Sequence, residues 1–98
     1  MEQNRHNDKK MNEVMSELID QLNFKEKIYD SKIKSAWEEL MGPVISKYTY
    51  KVFINKKALF IKISSTALKQ ELFNQREEIM EKVNQHLGES FIERVVVR

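Results

Sequence analysis

A chain of 98 residues, 41% hydrophobic and 33% charged, is sized for one domain around a modest core and has the composition of a soluble protein. It has no cysteine, which excludes disulfides, thiolate metal sites and cysteine nucleophiles. Its longest uninterrupted apolar run, Ala58 to Ile61, falls far short of the ~20 residues of a membrane span. The net charge is only +2, but residues 44–64 hold five lysines and no acid, whereas residues 1–43 balance to −2 and residues 65–98 to −1. That local excess matters more than the total for steering an anionic partner.

Met1 to Lys10 is polar, charged and aperiodic, and reads as a disordered tail with no signal-peptide character, so an intracellular chain is expected. Residues 11–98 then read as one domain. Met11, Val14, Met15, Leu18, Ile19 and Leu22 fall on a single helical stripe, which predicts a first helix ending at Asn23, with Phe24 and Ile28 in a short turn beneath the core. A second helix is predicted from Ser31 to Met41, with Asp30 or Ser31 as N-cap and Ile33, Ala36, Trp37, Leu40 and Met41 on its apolar side. Gly42-Pro43 is a stop signal.

Tyr48 to Ile54 reads as a strand with Tyr48, Tyr50, Val52 and Ile54 on one face. Asn55-Lys56-Lys57 is a connection of hairpin length without the usual glycine, and Leu59 to Ile63 is the next strand. The period changes at Ser64. Ser64, Ser65 and Thr66 are hydroxyl residues suited to a first helical turn, and Leu68, Leu72, Ile79, Val83 and Leu87 mark a long third helix from Thr66 to Leu87 closed by Gly88. Ile92 to Arg98 is the last strand. The order is ααββαβ, an α+β domain. The long helix between the second and third strands allows a right-handed crossover, making those two strands parallel. Helices on one face of a three-stranded sheet leave the other face partly open.

By alternation that open face carries Lys51, Phe53, Phe60, Lys62, Arg94, Val96 and Arg98, with Lys47, Lys56 and Lys57 nearby. Rings interleaved with cations suit single-stranded nucleic acid, because rings stack on bases and cations meet phosphates. Lys47, Lys51, Phe53, Lys56, Lys57, Phe60, Lys62, Arg94 and Arg98 are therefore the candidate nucleic-acid-binding residues. Two other readings of the face stay open: a solvated lysine-rich surface that discourages aggregation, and a docking patch whose rings a partner covers. Trp37 sits in an apolar stripe and reads as core, as do the methionines near such stripes. His6 and His86 have no second ligand at metal spacing, no carboxylate pair is placed for acid–base work, and the only glycines, Gly42 and Gly88, form neither a phosphate loop nor a GxxG loop. No catalytic residue, metal or cofactor is expected.

Trp37 with Gly42-Pro43, Thr49 before a strand, Leu59-Phe60-Ile61-Lys62-Ile63-Ser64-Ser65, Leu68 with Glu71-Leu72, then Asn84, Leu87-Gly88 and Ile92 before the terminal strand together resemble the DciA family, over Met11 to Arg98. The resemblance implies a KH-like fold lacking the GxxG loop, and a bacterial replication protein that binds the replicative helicase, assists its loading and binds DNA, single-stranded or forked. The matching residues read as fold determinants, and none is carried over as a site. Larger members have a further flexible segment beside the domain, and a short form without it is expected here. The resemblance thus implies a cytoplasmic, non-enzymatic module with no small-molecule substrate and no membrane partner. A protein-interaction domain without nucleic-acid binding, and a KH-like protein associated with RNA or the ribosome, are the alternatives.

Overall fold

One apolar stripe, carried without interruption through Tyr29, Ile33, Ala36, Trp37 and Leu40, seats the C-terminal half of a single long helix on the sheet. In a computed structural model, which describes residues 12–98 with their side chains, this helix is α1 (Glu2–Met41). It is followed by α2 (Pro43–Tyr48), β1 (Thr49–Asn55), β2 (Ala58–Ile63), α3 (Thr66–Asn74), α4 (Arg76–Leu87) and β3 (Arg94–Val97). The class is α+β and the order ααββαβ, with the last helical segment in two pieces. The expected tail, Met1 to Lys10, lies outside the fully described residues.

The helix does not end at Asn23, and Asp30 caps nothing. No proline or glycine stands between Asn12 and Met41 to stop the ladder, and Asn23 is a weak breaker that remains helical. Asp30 instead reaches sideways: its Oδ1 accepts the Ile54 N–H at 2.7 Å, and its Oδ2 pairs with Lys34 Nζ at 2.7 Å. Phe24 and Ile28 are exposed helical residues rather than a turn under the core. Gly42 does end the helix, at φ 89°, and Pro43 opens α2 at its first turn, where a missing N–H costs nothing.

The sheet order is β1-β2-β3, with β1 and β2 antiparallel and β2 and β3 parallel, as the crossover predicts. Val52, Ile54, Leu59, Ile61, Ile63 and Val95 are buried under the helices with Ile33, Trp37, Leu72, Ile79, Val83 and Leu87. Trp37 is core, as its stripe implied. Its Nε1–H donates to Thr49 Oγ1 at 3.1 Å, and that hydroxyl donates to the Ile45 carbonyl at 2.6 Å, so the ring nitrogen is buried with a partner.

Tyr48 and Tyr50 do not share the face of Val52. The register slips between Thr49, opposite Ile63, and Lys51, opposite Lys62, leaving Tyr50 as the extra residue of a bulge and 68% exposed. The predicted third helix is broken at Gln75 (φ −103°, ψ 20°), and Ser65 caps its first half by accepting the Leu68 N–H at 3.3 Å. Gly88 closes α4 in the left-handed conformation at φ 83°. β3 begins at Arg94 rather than Ile92, because Ile92 is held by Asn84: its N–H donates to Asn84 Oδ1 at 2.8 Å and its carbonyl accepts from Asn84 Nδ2 at 3.0 Å.

The domain end nearest the free half of α1 is fastened by Glu89. It accepts from Lys25 Nζ at 2.9 Å and from the Tyr29 hydroxyl, while the Tyr29 ring meets Phe91 edge-on at 4.9 Å. The hydrogen bonds from Lys25 and then Tyr29 hold the Glu89 carboxyl below its ordinary range, and the same bonds raise Lys25 and Tyr29.

Candidate nucleic-acid interface

Strand pairing puts the open-face residues into three rows that cross all three strands. Asn55, the fully buried Ala58 and Arg94 form the first, Phe53, Phe60 and Val96 the second, and Lys51, Lys62 and Arg98 the third. Arg98 enters that row through its backbone. Its N–H donates to the Ile61 carbonyl at 2.9 Å and its carbonyl accepts from the Ile63 N–H at 3.0 Å, the parallel pattern that sets it beside Lys62. Successive rows lie about 6.6 Å apart, two residues along a strand.

The middle row is a ring stack. Phe53 and Phe60 lie parallel, 4.9 Å between centroids and 4° between planes. Lys51 Nζ sits over the Phe53 ring at 5.0 Å and the Arg98 guanidinium over Phe60 at 5.4 Å. A cation this close to a ring is attracted by its quadrupole. Each ring of the stack thus has a cation close to it, and both rings are only half-buried.

The third row concentrates charge. Lys51 and Lys62 are direct cross-strand neighbours, an arrangement that costs stability when both are cationic. The ion pairs among the described residues are Lys25–Glu89, Lys34–Asp30 and Lys57–Glu93, so Lys51, Lys62 and Arg98 have no acidic partner there. An anion placed over the row would relieve the repulsion, and a row of fixed cations suits a chain of phosphates.

The remaining candidates are placed differently. Arg94 is on the same face and exposed, but lies beyond the ring row. Lys47 is in the last turn of α2, 5.8 Å from the Tyr48 ring. Lys56 and Lys57 form the two-residue hairpin turn with positive φ of 51° and 62°. Lys57 turns away from the row, its Nζ 3.7 Å from Glu93 Oε1 and its N–H donating to Glu26 Oε1 at 3.4 Å. Tyr50, beside Lys51, is the residue that alternation missed. It lines a groove of about 440 Å³ between α1 and the edge of β1, with Lys34, Glu38, Thr49 and Val52. The irregular register that exposes it leaves no mark in the sequence.

The family model described as Dna[CI] antecedent, DciA, matches residues 10–97. The chain belongs to the DciA family. No curated protein shows a significant match to it. Membership ties this DciA chain to the loading of the replicative helicase in bacterial DNA replication, a family role of helicase loader and interactor rather than of a known enzyme. Among the described residues of this DciA domain no group of three or more acidic, histidine or cysteine side chains could hold a metal ion, and no helix is long and apolar enough to cross a membrane.

Proposed function

We propose that this protein is a non-enzymatic, cytoplasmic accessory of the replicative helicase whose open sheet face grips the phosphate backbone of single-stranded or forked DNA. The observation that carries the reading is the row Lys51–Lys62–Arg98, three cations on neighbouring strands with no acidic partner among the described residues. With Phe53 and Phe60 stacked on each other and Lys51 and Arg98 close to the rings, the contact in this reading is to phosphates, which makes it indifferent to sequence. The rings act by positioning the cations.

The reading is tested by titrating labelled single-stranded DNA with the full chain, alone and with purified replicative helicase. Lys51→Glu with Lys62→Glu reverses the row and is expected to abolish DNA binding while the circular dichroism spectrum stays that of the folded domain. Lys57→Glu, whose partner is Glu93, serves as a control and keeps at least half the affinity. A folded double variant that binds as tightly as the parent rejects the face. Helicase binding with no DNA binding in the parent moves the function to a protein-interaction module.

A further inference from the structure

The apolar stripe that seats α1 on the sheet does not stop where the sheet stops. Lys25 and Glu89 mark the end of the globular part, and N-terminal to them Val14, Met15, Leu18, Ile19 and Leu22 continue the stripe of Tyr29, Ile33 and Leu40 with nothing beneath them. These five side chains are between 46% and 56% exposed. The molecule is accordingly drawn out, with extents of 62 × 21 × 20 Å, the long axis matching a 40-residue helix at about 1.5 Å per residue. The residues flanking the stripe, Asn12, Gln21 and Asn23, are uncharged, and Glu13, Glu17 and Asp20 lie toward the back of the helix.

We propose that this projecting half of α1 is a self-association surface, on which the same residues of a second copy pack as an antiparallel helix pair. Two features select a second copy. The first is area. Five half-exposed side chains of this size leave on the order of 500 Å² of apolar surface in water, as large as the biggest patch of an ordinary monomer. Two such stripes face to face remove on the order of 1,000 Å², the threshold of a specific interface, whereas a polar partner would cover only one of them.

The second feature is self-complementarity. The spacing of Val14, Met15, Leu18 and Ile19 reads the same in both directions, so reversal sets Met15 against Leu18 and Val14 against Ile19 of the other copy, as an isologous contact requires. Antiparallel pairing also sends the two globular parts to opposite ends, where a parallel pair would crowd them side by side.

The experiment is sedimentation equilibrium of the full chain from low micromolar to several hundred micromolar, with and without the replicative helicase. The parent is expected to pass from monomer to dimer within that range, and Leu18→Glu, at an exposed position, to stay monomeric with an unchanged circular dichroism spectrum. Since the chain has no cysteine, orientation is read by oxidation: Met15→Cys mixed with Leu18→Cys links the two copies, and Leu22→Cys alone does not. The proposal is overturned by a parent that stays monomeric, by a dimer that survives Leu18→Glu, by linkage of Leu22→Cys to itself, or by a monomer whose helicase binding is lost in Leu18→Glu, which assigns the stripe to the helicase instead.

Discussion

Lys51 on β1 stands directly opposite Lys62 on β2, two ammonium-bearing chains on one face of an antiparallel ladder. Opposed like charges destabilise a strand pair by a fraction of a kcal/mol up to about 1. Lys62→Thr, which suits a strand and removes the repulsion, is expected to raise the melting temperature by a few degrees. The same change should weaken DNA binding. Thermal melts paired with binding isotherms check it, and a variant that loses stability along with affinity contradicts the opposition described here.

The hairpin between these strands is built from Lys56 and Lys57, both at positive φ. A two-residue turn with both central residues left-handed is the geometry that Asn-Gly fills without strain, whereas an ordinary L-residue there costs about 1–2 kcal/mol. Lys56→Asn with Lys57→Gly should stabilise the domain by about 1 kcal/mol in urea denaturation. The exposed Lys57–Glu93 pair that it removes is worth little.

The turn also shows what could be read in the sequence. Alternation through Leu59, Ile61 and Ile63 gave the buried face of β2, and Gly42, Gly88 and Ser65 gave the helix ends, because each rests on local backbone chemistry. No boundary falls at Asn23 because no proline or glycine stops the ladder there, and Asp30, which resembles a cap, instead bonds Ile54 on β1. Tyr50 leaves the face that alternation predicts because a bulge reverses the alternation with no compositional sign. The rows of the open face followed from alternation, yet the Phe53–Phe60 stack depends on the strand register, which pairs the two residues.

Asn84 on α4 holds both backbone groups of Ile92 just before β3. Asn84→Ala leaves the N–H and carbonyl of a buried residue without partners, and should cost about 2 kcal/mol, or a fall of about 10 °C in melting temperature. Asn84→Asp keeps the acceptor for the Ile92 N–H and loses the donor, so it is expected to fall between parent and alanine variant.

Glu89 ties Lys25 and Tyr29 of α1 to the loop before β3, and its carboxyl is held below the ordinary 4.5. A depressed carboxylate contributes stability that is present above 4.5 and is lost as the pH falls through its lowered folded value. Lys25 is raised by the same bond, and its contribution is present below its ordinary value and lost as pH rises through its folded value, far in the alkaline range. Glu89→Gln is therefore expected to flatten the acid limb of the stability profile while leaving its alkaline end less steep. Urea midpoints across the acid range, parent against variant, check the sign.

The row of Lys51, Lys62 and Arg98 is tested most directly by the salt dependence of single-stranded DNA binding. Each phosphate contact contributes about 0.7 to the slope of log affinity against log salt. Lys62→Ala should lower that slope by about this amount, with a similar loss on any DNA sequence, and Lys57→Ala should leave it unchanged. A slope that stays the same in Lys62→Ala and falls in Lys57→Ala would contradict the assignment of the phosphate contacts to the open face.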